Sequence, residues 1–384
     1  MAERVFMKGT EAIAEAAVRA GCRFFAGYPI TPQNEIPEYM ARRLPEVGGT
    51  FVQGESEVAS VNMLYGAAST GIRAMSSSSS CGISLYSEGV SYCASARIPM
   101  VYVNVQRGGP GIGAIQPAQQ DYMQATKASG NGGFRMIVLA PDSVQECVDM
   151  VYEAYDLAER DQNPVLVLTD GVMGTMMEPV VLPPMKTDEE LAECRAKFLP
   201  RAIIGHPLGQ QAFCRPGSVG DGQEQENIKA AALYDTWEND IRVEEYMMDD
   251  AEACVMAFGI AARVSKNAVV EARKQGIKAG LIRPKTLWPF PQKAFDLVGD
   301  DVKKVIAETS TNDSFTADNT ERWGAGKINA AKGIEYIVNT SGIKTVNYNS
   351  TITDDAYYDM MGRRYETPPA AGIYIHQGKK VVVK

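Results

Sequence analysis

Histidine is nearly absent from this chain, and only His206 and His376 occur among its 384 residues. Neither of them lies in a carboxylate-rich or cysteine-rich pattern. This scarcity argues against a histidine-based metal site and against a Ser-His-Asp triad, because both need an imidazole beside other reactive groups. A serine in a ligand site would therefore act by hydrogen bonding and not as a histidine-activated nucleophile.

Closely spaced cysteines are also missing from the sequence. The chain contains no CxxC pair, and its seven cysteines stand at positions 22, 81, 93, 147, 194, 214 and 254. Iron–sulfur clusters are held by closely spaced thiolates, so the chain carries no cluster motif of its own. Without a secretory signal, we expect all seven cysteines to be free thiols.

The chain lacks basic runs and long apolar runs. Its 38 Lys and Arg against 47 Asp and Glu give a net charge of −9, and the pI is near 5.1. This balance argues against a nucleic-acid partner, which would require a basic stripe. Residues 1–12 have no apolar signal-peptide core, and no segment offers the roughly 18 apolar residues of a membrane span. We therefore expect a cytoplasmic protein with no membrane partner.

A regular alternation of helix and strand patterns extends from residue 9 to about 180. Strands separated by helices predict parallel βαβ units. The run at 98–105 is apolar on both faces except for Asn104, as in a central strand. The predicted strands are 23–26, 50–53, 73–76, 98–105, 135–140 and 164–169, and the predicted helices are 11–20, 32–42, 56–67, 83–96, 117–128 and 142–159.

The pattern lapses after residue 185 and resumes after residue 250. The second α/β pattern has strands at 253–258, 278–282 and 303–308, helices at 260–275 and 292–297, and a proline-rich turn at 283–291. A lapse of this length predicts a linker or a subunit contact. We therefore divide the chain into an α/β domain, a linker or subunit-contact segment, a smaller α/β domain and a C-terminal arm, at 1–185, 186–250, 251–340 and 341–384.

The segment YPITP at 28–32 predicts a rigid corner between a strand and a helix. Two prolines restrict the backbone of the residues before them, and Thr31 is placed to cap a helix that has Pro32 at its first position. A threonine there can serve the helix alone. It can equally present a hydroxyl group and a helix N-terminus to an anionic ligand.

Three further segments carry candidate site residues. Glu57 opens a helix followed by small residues that leave room for a flat ligand, and a carboxylate buried there needs a partner. The serine run 76–80 follows a strand, and it either caps a helix or holds a polar ligand group. Arg107 precedes a glycine-rich loop at the carboxyl end of the central strand, where α/β sheets bind ligands. That loop matches neither the GxGxxG nor the GxxxxGK[ST] fingerprint.

Taken together, these motifs resemble the α subunits of 2-oxoacid:ferredoxin oxidoreductases. YPITP at 28–32, SE at 56–57, the serine run and RGGP at 107–110 occur in the same order and spacing, and the likeness continues with LTDG at 168–171 and RPKTLWPFP at 283–291. The resemblance covers nearly the whole chain except 190–250 and the extreme tail. It implies a doubly wound parallel sheet of the pyrimidine-type thiamine-diphosphate-binding class, followed by a smaller transketolase-C-terminal-like α/β domain.

The resemblance also implies site roles. Glu57 corresponds to the glutamate that donates to N1′ of the thiamine aminopyrimidine and helps remove the thiazolium C2 proton. Tyr28 and Thr31 correspond to positions that line the substrate and cofactor, and Arg107 to the arginine that meets the oxoacid. Gln116 stands at a polar position near the substrate. The serine run contributes cofactor contacts through Ser79 and Ser80.

The diphosphate half of such a site is missing. Thiamine enzymes hold Mg²⁺ and diphosphate with Gly-Asp-Gly and a later Asn, whereas GDG at 220–222 follows no apolar strand and has no suitable Asn. No metal ligands are therefore predicted in this chain. The resemblance implies that thiamine diphosphate is shared with a β subunit, that Mg²⁺ and [4Fe-4S] clusters belong to partner subunits, including a ferredoxin-like subunit and a γ subunit, and that coenzyme A and ferredoxin take part in the reaction.

The substrate subtype depends on the loop after Arg107. Many 2-oxoglutarate-type subunits read RGGPSTG, whereas this chain reads RGGPGIG at 107–113 and loses two hydroxyl groups. The change favours an apolar acyl chain and the 2-oxoisovalerate, or branched-chain, branch. An apolar pocket discriminates a methylene by only about 1–3 kcal/mol. 2-Oxoglutarate, pyruvate and indolepyruvate enzymes therefore stay open as alternatives, as does a non-catalytic scaffold of the same fold.

Overall fold

The computed structural model describes residues 4–127, 129–198, 221–296, 357–359, 364–365, 367, 372–376 and 379–383. The chain divides into two compact units, Met1–Leu297 and Val298–Lys384. The strands are β1 (Arg4–Lys8), β2 (Phe24–Gly27), β3 (Thr50–Gln53), β4 (Ala74–Ser78), β5 (Val101–Gly108), β6 (Ala114–Pro117), β7 (Ile137–Leu139), β8 (Val165–Asp170), β9 (Met177–Val181), β10 (Val243–Tyr246), β11 (Ala253–Met256), β12 (Ala279–Pro284), β13 (Thr286–Trp288), β14 (Tyr357–Asp359), β15 (Arg364–Tyr365), β16 (Gly372–His376) and β17 (Lys379–Val383).

From β1 to β4 a helix follows each strand, in the alternating order that the sequence predicts. A 3₁₀ helix at Trp237–Asp240 follows the ninth α-helix. The α-helices are α1 (Gly9–Arg19), α2 (Glu35–Glu46), α3 (Glu57–Ser69), α4 (Cys81–Ala96), α5 (Tyr122–Thr126), α6 (Val144–Asp161), α7 (Gly171–Thr175), α8 (Asp188–Phe198), α9 (Asp221–Thr236), α10 (Gly259–Lys274) and α11 (Gln292–Asp296).

The main sheet has the strand order β13-β7-β8-β5-β4-β2-β3. All its pairs are parallel except β13 with β7, and β6 folds back antiparallel onto the end of β5. The strand order reverses between β2 and β4, since β3 lies on one side of β2 and β4 on the other. Such a switch point leaves a crevice at the carboxyl edge of the sheet.

Helices cover both faces of the sheet, which is why its central strands are apolar. One core lies under α1, α2 and α6, and it includes Ile13, Met40 and Val151. The other lies under α3 and α4, and it includes Val61 and Tyr86. The side chains of β5 are buried from Val101 to Arg107, so the central-strand prediction for 98–105 is confirmed.

Two predicted helices begin later than the sequence indicates. The helix predicted at 32–42 starts at Glu35, because the Gln33 amide donates to the Ile30 carbonyl in a turn and Asn34 takes the N-cap position. Thr31 is therefore not the helix cap. The helix predicted at 117–128 is wrong over its first half, because Gly111 and Gly113 adopt positive φ and reverse the chain into β6.

The segment predicted as a lapse in the pattern contains helices and a strand. Trp237 is 1% exposed, and its indole Nε1 donates to Asp161 Oδ2 of α6 at 2.8 Å. β10 then pairs antiparallel with β12, and β11 pairs parallel with it. Part of this segment therefore packs on the first α/β domain.

The proline-rich turn predicted at 283–291 contains β13, which extends the main sheet. Beside it, the fully buried Arg283 donates to both carboxylate oxygens of Glu146 at 2.8 Å and to Glu244 Oε2 at 2.6 Å. Lys266 donates to Asp142 Oδ2 at 2.7 Å and to Glu244 Oε2 at 2.9 Å. Five charged side chains therefore join α6, α10 and β12 in one network.

The described residues of the second unit form an antiparallel sheet in the order β15-β14-β16-β17. The strand predicted at 303–308 lies outside the described residues. Among the described helices of the chain, none combines the length and apolarity needed to cross a bilayer.

Candidate active site at the sheet switch point

The crevice between β2 and β4 is built by buried polar side chains. The Ser76 hydroxyl donates to the Ala26 carbonyl across the two strands. The Ser77 hydroxyl donates to Gln33 Oε1 at 2.5 Å, and Gln33 in turn donates to the Tyr28 carbonyl at 3.2 Å. The first serines of the run therefore fix the corner at 28–32 against the end of β4.

Glu57 lies at the first position of α3, directly after its cap. The Ser56 hydroxyl accepts from the Ala59 amide at 3.1 Å, so the helix begins with a satisfied side-chain cap. The Glu57 side chain is buried, with the residue only 6% exposed. No residue in the described part of the chain donates a hydrogen bond to its carboxylate. The helix N-terminus favours the negative charge, but a carboxylate in this position still needs a donor.

The carboxylate of Glu57 meets the serine run at Gly82. A Cβ on Gly82 would come within 2.6 Å of Glu57 Oε1 and 2.0 Å of Ser78 Oγ. The hydroxyls of Ser78 and Ser79 are buried, and neither has a hydrogen-bond partner among the described residues. An unpaired buried polar group costs about 1–3 kcal/mol. The crevice therefore holds polar groups that the described residues leave unsatisfied.

Tyr86 packs against the serine run from the side of α4. Its hydroxyl lies 2.6 Å from Ser76 Oγ and donates to the Ser77 carbonyl. Burial raises the pKa of Tyr86, and the Glu57 carboxylate adds to this effect, while the contact with Ser76 opposes it. The phenol is therefore neutral at physiological pH and supports the serine backbone.

Arg107 forms the opposite wall. Its Nη1 donates to the Thr31 carbonyl at 2.8 Å, and its Nη2 donates to the Ile112 carbonyl at 2.7 Å and to Cys81 Sγ at 3.0 Å. Its Nε is buried and has no partner among the described residues. The guanidinium therefore joins the corner at 28–32 to the glycine-rich loop and keeps one N–H unsatisfied.

Ser80 differs from the two serines before it. Its hydroxyl donates to Asp121 Oδ2 at 2.6 Å and accepts from the Arg107 amide at 3.0 Å. Its φ of 31° is a conformation that a non-glycine residue adopts at a cost of about 1–3 kcal/mol. Asn104 also donates to Asp121, at 2.9 Å. Asp121 thus fixes the turn from β4 into α4.

The remaining predicted site residues are exposed. Tyr28 and Thr31 lie at the solvent-facing side of the corner, and Gln116 lies exposed on β6. Sequence reasoning included Ser78 only as a member of the serine run, and it missed Asp121. The signal for Asp121 was Asn104, the one polar side chain in an otherwise apolar strand, because a buried amide needs a polar partner.

Asp170 has a structural role at the end of β8. Its carboxylate accepts from the amides of Val172 and Met173 at 2.8 and 3.1 Å and so caps α7. Among the described residues, Asp156, Glu159 and Cys194 are close enough to one another to hold a metal ion. Arg73 and Lys186 already pair with the two carboxylates of this group.

A doubly wound α/β sheet with an unsatisfied carboxylate and hydroxyls at its switch point defines the class of α/β cofactor-binding proteins. Residues 15–248 match the family model "Pyruvate flavodoxin/ferredoxin oxidoreductase, thiamine diP-bdg", and residues 251–344 match "Pyruvate:ferredoxin oxidoreductase core domain II". The chain therefore belongs to the 2-oxoacid:ferredoxin oxidoreductase family, and the matched model of residues 15–248 is a thiamine-diphosphate-binding one.

Individual relatives support this assignment. The chain is 44% identical over 291 residues to "Ketoisovalerate oxidoreductase subunit VorB" of Methanothermobacter marburgensis, covering 75% of this chain and 80% of the relative. It is 37% identical over 295 residues to "2-oxoglutarate synthase subunit KorA" of Archaeoglobus fulgidus, covering 76% and 84%.

A solved structure has the same fold. The 2-oxoglutarate:ferredoxin oxidoreductase from Magnetococcus marinus, solved with 2-oxoglutarate, coenzyme A and succinyl-CoA bound, gives a TM-score of 0.69 at 23% identity. The match covers 89% of this chain and 65% of that chain. The fold class predicted from the sequence is therefore confirmed.

Proposed function

We propose that this chain is the α subunit of a thiamine-diphosphate-dependent 2-oxoacid:ferredoxin oxidoreductase that converts 2-oxoisovalerate to an acyl-CoA and CO₂. The observation that carries the proposal is the buried Glu57 carboxylate, which lacks a hydrogen-bond partner among the described residues and faces the small Gly82. The N1′ atom of an aminopyrimidine ring would provide the missing partner. The unsatisfied hydroxyls of Ser78 and Ser79 can bind its other polar atoms.

When bound, thiamine diphosphate supplies the thiazolium carbon that adds to the oxoacid carbonyl. Glu57 would hold a proton at N1′ of the aminopyrimidine, and a hydrogen bond to a charged group contributes about 1.5–3 kcal/mol. Arg107, with its unsatisfied Nε, would bind the oxoacid carboxylate, and Tyr28, Thr31 and Gln116 would line the same site. The Ser80 hydroxyl is engaged by Asp121, so Ser80 would shape the cofactor site through its backbone.

Partner subunits complete the site in this proposal. The described residues would supply the aminopyrimidine side of the site. The GDG at 220–222, which resembles a diphosphate motif, begins outside the described residues and continues into the helix α9. Large apolar side chains are exposed on α3 and α4, including Val58, Met63 and Leu85. An exposed apolar face of this kind is typical of a protein interface. A β subunit would cover it and bring the diphosphate, Mg²⁺ and iron–sulfur sites, and 186–250 would add further subunit contacts.

The branched-chain substrate is supported by two observations. The loop 107–113 lacks the two hydroxyl groups of the 2-oxoglutarate type, and the VorB relative is more similar to this chain than the KorA relative. The 2-oxoglutarate enzyme is the second candidate, because KorA subunits are matched over three quarters of this chain.

The test is a substrate panel on the complex purified with its neighbouring subunits. We expect viologen reduction that requires coenzyme A, with kcat/KM for 2-oxoisovalerate exceeding that for 2-oxoglutarate by at least about tenfold. A preference for 2-oxoglutarate or pyruvate would refute the branched-chain proposal and leave the family assignment standing. Turnover by the isolated chain would refute the shared site.

A further inference from the structure

A second cavity lies at the far end of α4 from the crevice. Its volume is about 280 Å³, and its walls come from the last turns of α4, from the loop at 131–134 and from α9. The helix separates this cavity from Ser80 by roughly 20 Å, at 1.5 Å per residue. The cavity is therefore separate from the candidate active site.

Arg97 ends α4 in a left-handed conformation, with φ 57° and ψ 45°. The turn is closed by backbone hydrogen bonds from the Arg97 and Ile98 amides to the Ala94 and Cys93 carbonyls. This helix position favours glycine, because only glycine adopts it without steric cost. The backbone alone favours glycine here, so Arg97 adopts this conformation at a small steric cost.

The Arg97 guanidinium lines the cavity beside the Tyr234 phenol, with which it interacts, and it has no ion-pair partner among the described residues. Its Nη1 is buried and forms no hydrogen bond with any residue that the structure describes. No described carboxylate lies within ion-pair distance of it. Burial raises the pKa of the Tyr234 phenol, while Arg135 and Arg97 beside it act in the opposite direction. The guanidinium and a neutral phenol thus share one wall.

The other walls add hydrogen-bonding groups and flat apolar surfaces. Gly132 and Gly133 have φ of 78° and 73°, and open space lies in front of both Cα atoms, so a ligand can approach the backbone closely. Asn131 and Asn227 offer amides, and Phe134 offers a ring face. The one carboxylate among the described lining residues, that of Glu226, already pairs with Lys229 at 2.7 Å.

We propose that this cavity binds the phosphate or carboxylate group of a small metabolite through Arg97. The available volume corresponds to about nine water molecules, at about 30 Å³ each, which suits a small anion. A guanidinium binds both kinds of oxyanion through paired N–H groups. The ligand is distinct from the oxoacid, because Arg107 and Arg97 lie at opposite ends of α4.

The experiment measures thermal unfolding of the purified complex with inorganic phosphate, acetate or chloride at constant ionic strength. Saturating thiamine diphosphate and Mg²⁺ prevents phosphate from occupying the cofactor site. We expect phosphate, acetate or both to raise Tm by roughly 2 °C at about ten times Kd, relative to chloride. The more effective anion identifies the ligand group. Equal Tm values in all three salts would overturn the proposal.

Arg97→Gly is the decisive variant, because glycine suits the left-handed turn. It should raise Tm in chloride and lose the anion-dependent shift, and Arg97→Gln should also lose that shift. The control Arg42→Gln removes an exposed arginine that lies over the Tyr39 ring, and it should keep the full shift. A lower Tm of Arg97→Gly in chloride would mean that the guanidinium is structural. An unchanged anion shift in either Arg97 variant would also refute the site.

Discussion

Arg107 Nη1 and the Thr31 carbonyl oxygen are 2.8 Å apart, which joins a central strand to a corner 76 residues earlier in the chain. Because the guanidinium also binds the Ile112 carbonyl, one side chain positions two loops. Thr31 therefore contributes a main-chain acceptor to the site, in addition to any hydroxyl contact with a ligand.

Arg107→Lys should raise KM for the oxoacid by at least about tenfold. A lysine ammonium has three N–H groups but lacks the planar fork of a guanidinium, so it cannot reach the Thr31 and Ile112 carbonyls from both sides while presenting a further N–H to a carboxylate. Each charge-assisted hydrogen bond contributes about 1.5–3 kcal/mol. Steady-state kinetics of the purified complex measures the change. Arg42→Lys serves as the control and should leave KM unaltered. An unchanged KM in Arg107→Lys would remove Arg107 from the substrate site.

Glu57→Gln should lower kcat by about 10²–10⁴-fold while the subunits still assemble, because an amide cannot hold the proton at the pyrimidine nitrogen as a carboxylate does. Turnover and gel filtration of the same preparation measure the two effects. Glu55 is exposed two residues earlier, so Glu55→Gln is a matched control that should keep near-normal turnover. If Glu57→Gln retained full turnover, a non-catalytic scaffold would be the better description.

Gly82→Ala should abolish turnover or weaken thiamine diphosphate binding strongly. The added methyl group would lie 2.0 Å from Ser78 Oγ and 2.6 Å from Glu57 Oε1, so the carboxylate and the hydroxyl have to move. Gly66→Ala on α3 is the control, because a Cβ at Gly66 meets nothing within 4 Å. Cofactor titration by fluorescence measures the affinity. Equal affinity in the two variants would show that the crevice at Gly82 does not receive the cofactor.

Lowering the pH should reduce the stability of the unit Met1–Leu297, because it protonates Glu146. Burial tends to raise the pKa of Glu146, but hydrogen bonds from Arg283 and Lys285 outweigh this effect and hold the pKa well below its usual range. A carboxyl with a lowered pKa contributes stability above its unfolded value, about 4.3, and loses it as pH falls. The pKa values of Glu244 and Glu178 are also lowered, whereas the pKa of Asp142 is raised.

We therefore expect Tm to fall between pH 5 and about pH 3, and Arg283→Met to lower Tm at pH 7 while flattening this dependence. Removing one partner of a buried ion pair costs about 3–5 kcal/mol. The control is Lys274→Met, which breaks an exposed pair with Glu271 and should change Tm little. Differential scanning calorimetry at several pH values measures Tm of the unaltered protein and of both variants. A parallel pH dependence in Arg283→Met would contradict the role of this network.

The alternating pattern of the first domain could be predicted because helix and strand periodicities are local properties of the sequence. β5 is an example, since its apolar run marks a strand that is covered on both faces. Glu57, Arg107 and the serine run could be located because they follow the strand ends of a parallel sheet, where ligand groups converge.

Features that depend on distant hydrogen bonds could not be predicted. The delayed start of α2 follows from the buried Gln33, whose side-chain oxygen accepts from Ser77 on another strand. β6 and β13 are only four and three residues long, so their strand character comes from pairing with β5 and β7. The Ser80 hydroxyl has a hydrogen-bond partner and the Ser79 hydroxyl has none, because Ser80 donates to Asp121, 41 residues further along the chain.

The pairing of β13 with β7 means that the two regions matched by the family models do not fold as separate pieces. Residues 286–288 belong to the second matched region, yet they complete the sheet of the first. A chain that ended at residue 250 would expose the backbone edge of β7, and unpaired strand edges promote association between molecules. Such a shortened subunit should therefore aggregate when it is expressed alone.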